Sequence, residues 1–393
     1  MLGEELRNET KIVIYAWSVP SGFLLRAVKE EYDYFKKRGY RVDVIFYKAD
    51  VPNYYRNWIK QLHSTIIKKH GKPIKLFNFL VEKTATSGFE IPLDAFFTPS
   101  LLLLKEKPYV ISHEITSGLS LILYAIFNSR KVSVVVHDDI FSFLSVKSSK
   151  EVAVVSKLIG RIVKFMVNFF GVLFATNTKI SLSLSRSIEG IRVVNAELGI
   201  NRCDIAPKIT ERREILVIAK WYKQRKPEIY LKVAQIVGKE YKFILAGHWD
   251  DIGYYSQINK AVEEMNSIHS NVVLMPDLTE GELHELYHGC RAFVRLGFGE
   301  NGIGGGILDA IGHGCPLVLG KGLGGMEDIR NDVHGYLVSD ENPNEIAQKI
   351  LNIMQSDDLA RFFSSNVFLI ADKYSWERHG RILEESILHN KGK

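Results

Sequence analysis

The stretch Gly297-Phe-Gly-Glu-Asn-Gly-Ile-Gly-Gly-Gly-Ile-Leu-Asp-Ala-Ile-Gly-His-Gly-Cys-Pro316 governs how the rest of the chain is read. Six glycines between Gly297 and Gly306 lead into a short apolar helix bearing Asp309. Glycine lets a backbone approach a ligand closely, and the N–H groups at a helix start attract an anion. A phosphate or diphosphate is the expected guest. No Gly-Lys-Ser/Thr follows, so this is not a nucleotide-triphosphate loop. Gly297-Phe-Gly-Glu-Asn-Gly302 does spell the dinucleotide fingerprint. Further glycines delay the helix, however, and the next strand ends in Leu319-Gly320-Lys321 without a ribose-binding acid.

Outward from this segment, short apolar runs alternate with helix-length stretches. Strands are expected at Lys11–Trp17, Arg41–Tyr47, Lys75–Leu80, Tyr109–Ser112, Lys131–Val136, Val172–Thr176 and Arg192–Val194. In the second half they are expected at Glu214–Ala219, Lys242–Ala246, Asn271–Met275, Ala292–Leu296, Pro316–Leu319 and Tyr336–Val338. Ile346, Ile350, Ile353 and Met354 share one helical face, Thr279 with Glu282 fits a capping box, and Gly39 suits a helix terminus. Alternation of this kind argues for parallel sheets flanked by helices. Thirteen strands exceed one compact sheet, and the polar, aperiodic stretch Ala196–Arg213 reads as a linker. Two doubly wound domains are expected, with ligands beyond the C-terminal strand ends, in the cleft between them.

A second cluster follows the first strand of the back half. Lys220, Lys223, Arg225 and Lys226 fall within seven residues, where cations can neutralise a diphosphate without metal. His284-Glu-Leu-Tyr-His288 is a literal zinc-protease signature. Both histidines fall outside the apolar stripe of Leu283, Leu286, Tyr287 and Cys290, Gly289 tends to end the helix, and no third ligand follows nearby. The reading is an exposed helix with two surface histidines and no metal. His113 and His137 each follow a strand, and Asp138-Asp139 come next. The chain contains no Asp-x-Asp pair and no Gly-x-Ser-x-Gly elbow.

Composition excludes disorder, collagen and coiled coil as global descriptions: 46% of the 393 residues are hydrophobic and 24% are charged. Three cysteines support no disulfide framework. No signal peptide or uninterrupted apolar span is evident, so a cytoplasmic protein is expected. Charge is uneven: residues 1–200 carry 28 basic and 18 acidic side chains, and the remainder 23 and 27. The basic excess gathers between Arg56 and Lys75, interleaved with aromatics, and at Lys157, Arg161 and Lys164. This suits contact with an anionic membrane surface at the cytoplasmic face; nucleic acid is the reading set aside.

The run Asp309-Ala-Ile-Gly-His-Gly-Cys-Pro-Leu-Val318, with Gly324-Gly-Met-Glu-Asp-Ile329 and His334-Gly-Tyr-Leu-Val338, resembles the retaining glycosyltransferases of the GT-B fold, family 4. The resemblance is strong from Ile215 to Ile387 and diffuse before Asn195. It implies an α/β fold of two Rossmann-like doubly wound domains facing across a cleft. Residues 1–205 would form an acceptor-binding domain and 206–375 a nucleotide-sugar donor domain, with 376–393 a helix crossing back.

By that resemblance, Asp309 takes the place of the glutamate that holds the nucleotide ribose. The preceding acid, which contacts the transferred sugar, falls on Asn301 or the adjacent Glu300. Lys220, with Lys226 or Arg225, matches the diphosphate cations, and His137 the front-domain histidine near the sugar. Gly22 matches a first-strand glycine loop. Leu278, Gly302, Gly304, Gly305, Gly306, Ile307 and Leu308 complete the implied donor contacts. The implied reaction moves a sugar, with retention and without metal or cofactor, from a nucleoside-diphosphate sugar to a glycan or lipid-linked saccharide. A sugar-nucleotide epimerase and a non-catalytic nucleotide-binding relative are the alternatives.

Overall fold

The computed structural model describes residues 10–18, 23–48, 64–66, 98–128, 131–137, 160–200, 202–203, 208–268, 270–300 and 302–389. The chain divides into two compact units, Met1–Leu198 with Trp376–Lys393, and Gly199–Ser375. The boundary thus falls at Leu198, earlier than residue 205.

The N-terminal unit holds seven strands: β1 (Lys11–Ser18), β2 (Arg41–Lys48), β3 (Ser64–Ile66), β4 (Tyr109–His113), β5 (Val132–Val136), β6 (Val172–Ala175) and β7 (Arg192–Asn195). They form one parallel sheet in the order β3-β2-β1-β4-β5-β6-β7. Alternation along β1 sends Ile12, Ile14 and Ala16 into one core and Val13 and Tyr15 into another, so both faces are covered. Leu383 and Ile387, from the final helix Trp376–His389, join the first of these cores. Tyr34 and Tyr40 donate from their hydroxyls to the Glu384 carboxylate of that helix, at 2.8 and 2.9 Å. The helix Phe23–Lys37 ends two residues before Gly39, whose φ of +90° is one that L side chains avoid.

The C-terminal unit carries β8 (Glu214–Ile218), β9 (Lys242–Ala246), β10 (Val272–Met275), β11 (Cys290–Arg295), β12 (Leu317–Gly320) and β13 (Gly335–Val338). These are also all parallel, in the order β10-β9-β8-β11-β12-β13. The order reverses between β8 and β11. Loops leaving two neighbouring strands in opposite directions open a crevice there, at the carboxyl ends of the strands. Helix Pro343–Gln355 buries the expected face, Ile346, Ile350, Ile353 and Met354. Thr279 and Glu282 form the capping box of helix Glu280–Gly289.

Expected strands and observed ones agree to within a residue or two wherever both are described. Lys75–Leu80 lies outside the described residues. Ser64–Ile66 was not expected: it is three residues long, at the sheet edge, and too short to show a period. Among the described residues, no helix is long and apolar enough to cross a membrane.

Candidate functional site

The reversal between β8 and β11 brings the cation segment and the glycine run together. After β8 the chain turns through Lys220 to Trp221, which is fully buried and stacks on Trp249 with ring centroids 5.4 Å apart. The Trp221 backbone N–H donates to the His248 carbonyl at 2.6 Å, and Nε1–H to the Ala246 carbonyl at 2.9 Å. This anchor holds Lys220 at the rim. Its side chain is about half exposed, with Nζ 3.0 Å from Asp250 Oδ1.

The other cations part company. Lys226 adopts φ +47° ahead of helix Pro227–Val237 and lays its ammonium 4.1 Å from the centre of the Phe298 ring. Lys223 is exposed. Arg225 turns inward and, with Arg295 at the end of β11, forms ion pairs with Glu300. The Arg295 guanidinium also donates to the Ile218 carbonyl at 2.6 Å, and burial pulls its pKa down to about 10. Glu300 therefore pins the glycine run to the ends of β8 and β11. Tyr222 adds a further tie, its hydroxyl donating to the Gly299 carbonyl at 3.1 Å.

Gly297 is there for closeness, and Gly306 marks a contact. A Cβ on Gly297 would lie 2.3 Å from the carbonyl carbon of Gly322, so only glycine lets these loops touch. Asp340 locks that contact, accepting from the N–H of Gly297 at 2.5 Å and of Gly322 at 2.7 Å. At Gly306 a Cβ would meet Ile218 Cγ2 and its carbonyl oxygen at 3.6 Å. The first turn of helix Gly305–Gly312 therefore stands against the end of β8, two residues before Lys220.

Gly304 is the N-cap; Ile307 N–H donates to its carbonyl at 3.0 Å, while the N–H groups of Gly305 and Gly306 lack intrahelical acceptors by helix geometry. Ile307 and Leu308 are buried beneath this turn, Gly302 is buried beside it, and Asp309 is half-buried. Leu278 is half-buried just before the Thr279 cap of helix Glu280–Gly289, whose Tyr287 donates from its hydroxyl to the Gly306 carbonyl at 2.9 Å. Gly22, Asn301, Lys157, Asp138, Asp139 and the basic stretch from Arg56 to Lys75, apart from the backbone of 64–66, lie outside the described residues. Sequence reading missed Arg295 and Asp340. A lone cation closing an apolar strand was a signal for the first. Nothing local marked the second, whose partners lie 18 and 43 residues upstream.

In the N-terminal unit, His137 follows β5 and stacks on His113, which ends β4. His113 Nδ1 lies 3.0 Å from His137 Nε2, and His113 Nε2 donates to the Glu31 carboxylate at 3.1 Å. His379, from the final helix, reaches the other oxygen of that carboxylate through Nε2 at 2.9 Å and the Glu197 carbonyl through Nδ1 at 3.1 Å. Both of its ring nitrogens thus face oxygen acceptors. Burial alone would raise the pKa of Glu31, but the two histidines outweigh it and hold the carboxyl down at about 2.

His137 protonates well below 6.5, chiefly through burial and next through His113, against the pull of Glu31. Unfolded, it would take up a proton near its ordinary value. Its contribution to stability is thus complete above about pH 6.5 and falls below it, by up to about 1.4 kcal/mol per pH unit. Urea denaturation from about pH 7 to about pH 5 should show His137→Gln losing less stability than wild type, by about one proton in slope. Equal slopes would contradict this account of the cluster.

The two signature histidines are exposed, as expected. The expectation that no third ligand stands near them needs correction. His313 Nε2 lies 2.8 Å from His284 Nδ1, and Cys203 Sγ lies 3.9 Å from His288 Nε2. Both partners are distant in sequence, so a search of the neighbouring residues could not find them.

Comparison with known proteins agrees with the fold. Residues 212–356, from the start of β8 to helix Pro343–Gln355, match the family model "Glycosyl transferases group 1". Poly(glycerol-phosphate) alpha-glucosyltransferase of Bacillus subtilis (strain 168) is 23% identical over 172 residues, 42% of this chain. The match spans 24% of that relative's length. Anabaena Alr3699/HepE, solved in complex with UDP and glucose, superposes with a TM-score of 0.73 at 13% identity, covering 97% of this chain and all of the other. Sucrose-phosphate synthase from Thermosynechococcus elongatus gives 0.73 at 16% identity, over 97% and 98% of the two chains. The fold is thus GT-B. Over residues 212–356, within the C-terminal unit, the chain is similar to the glycosyl transferases group 1.

Proposed function

We propose that the protein transfers a hexose from a nucleoside-diphosphate sugar to a glycan or lipid-linked saccharide, with retention at the anomeric carbon and without a catalytic metal. One observation carries this reading: the first turn of helix Gly305–Gly312 stands against the end of β8, beside Lys220. As the bond from C1 to the departing phosphate oxygen breaks, negative charge grows on the diphosphate, and donors aimed there stabilise the transition state. Lys220, Lys226 and the helix start supply such donors. The leaving phosphate then takes the acceptor's proton on the same face. Asp309, along the same helix, would hold the ribose. His137 and the acid role at Glu300 or Asn301 belong to the same reading. The Arg225 and Arg295 ion pairs favour Glu300 as a positioning group for the loop rather than a sugar contact.

The acceptor is assigned to the N-terminal unit, whose sequence carries the basic excess. Within residues 160–167, Arg161, Ile162, Lys164 and Phe165 are exposed while Val163 and Val167 are buried, a cationic and apolar face suited to an anionic membrane. The curated relative, by its name, glucosylates poly(glycerol-phosphate), itself an anionic chain.

The test is a panel of nucleoside-diphosphate sugars. A binder should raise the melting temperature, and the product linkage should keep the donor's anomeric configuration by NMR. Transfer to acceptor in anionic vesicles should outpace transfer to acceptor in neutral ones. Rearranged sugar from donor alone would indicate an epimerase, and stabilisation without turnover a binding protein; either overturns the transferase. Equal rates on both vesicles would remove the membrane from the reading.

A further inference from the structure

Four side chains outside the donor site converge at the far end of helix Gly305–Gly312. His284 and His288 stand one turn apart on helix Glu280–Gly289, His313 caps the end of Gly305–Gly312, and Cys203 lies in the segment leading into β8. One ligand atom from each lies within 4.8 Å of all the others. His288 Nε2 and His284 Nε2 are 2.8 Å apart, as are His284 Nδ1 and His313 Nε2.

We propose that Cys203, His284, His288 and His313 bind one zinc-class transition-metal ion. Four ligands at zinc bond lengths of about 2.0–2.3 Å stand about 3.4 Å apart in a tetrahedron, within reach of these positions by side-chain rotation. Three imidazoles and one thiolate are a borderline-soft set, which selects zinc or cobalt over magnesium or calcium. The surroundings orient the ligands as metal sites do. His313 Nδ1 faces the Asp309 carbonyl at 2.7 Å and must donate to it, which leaves the Nε2 lone pair turned toward the cluster. The Tyr287 ring stacks on His313 at 5.0 Å between centroids. Cys203 is held by its own N–H, which donates to the Gly312 carbonyl at 3.1 Å. The two helix histidines are exposed, so an ion has an entry path.

A site with four protein ligands has no open position, and closed sites are structural. This one staples three separate segments of the C-terminal unit. It lies at the opposite end of an eight-residue helix from the anion-binding turn, about 12 Å along the axis, so it does not touch the diphosphate. Its presence is independent of the transferase reading.

The test uses the full chain, purified without a polyhistidine tag and stripped with chelator, then titrated with Co²⁺ and Zn²⁺. One equivalent of Co²⁺ should give visible d–d bands of tetrahedral intensity and a thiolate charge-transfer band, both abolished by Zn²⁺. Zn²⁺ should raise the melting temperature. His284→Ala and His288→Ala, at exposed positions that spare the fold, should each weaken binding more than about 100-fold. Cys203→Ser should lose the charge-transfer band. Absence of a Zn²⁺-dependent shift, cobalt binding without that band in the wild type, or wild-type affinity in His284→Ala would each overturn the proposal.

Discussion

Lys220→Ala lowers the rate of sugar transfer at least about 100-fold, about 3 kcal/mol of transition-state stabilisation, by the measure of removing one oxyanion donor. The effect falls on kcat more than on donor affinity, because the diphosphate gains charge as the sugar departs and Lys220 acts most strongly on that gain. Lys220 is paired with Asp250 at 3.0 Å, so donor binding exchanges one anion for another rather than desolvating a bare cation. Lys220→Arg recovers part of the rate, since charge and reach are kept while the geometry changes. Steady-state kinetics with the stabilising donor decide it. A wild-type kcat in Lys220→Ala removes the residue from the reaction.

Glu31→Ala destabilises the N-terminal unit by about 3–5 kcal/mol, the usual cost of removing one partner from a buried ion pair. Glu31 is 1% exposed and is the shared acceptor for His113 and His379. Without it both histidines lose their shared buried acceptor, and an unpaired buried polar group is costly. Because His379 sits on the final helix, the loss also loosens that helix from Phe23–Lys37. Denaturant unfolding measures the first effect, and faster proteolytic trimming of residues after Ser375 the second. A double-mutant cycle with His379→Ala should return a coupling energy well above 1 kcal/mol. Additive single effects would show that the pair is not an energetic unit.

The strands were legible because their cause is local. Runs such as Val132–Val136 are buried along their whole length, a pattern that survives whatever stands beside them. The Thr279 capping box and the Gly39 turn are equally local, each closing within a few residues. The glycine run announced a phosphate-sized approach because glycine is the residue that permits it. The donor side of the site was readable to that extent.

The partners of the polar groups were not. Arg225 was read as a diphosphate cation from its place among lysines, yet it faces Glu300. That pairing depends on β8 and β11 being neighbours, a fact of strand order rather than of spacing. Glu31 carried no signal at all, and becomes the centre of a buried cluster once helix Phe23–Lys37 packs against β4 and the final helix. His284 and His288 looked like surface residues of a chance motif, because their companions come from a helix end 25 residues further on and from a segment 81 residues back. By itself the sequence determined the elements, their caps and the glycine approach, since these rest on hydrogen bonds and apolar periods within a few residues. Only the tertiary structure decided which charges and ligands meet, since those meetings are set by sheet order and packing across the chain.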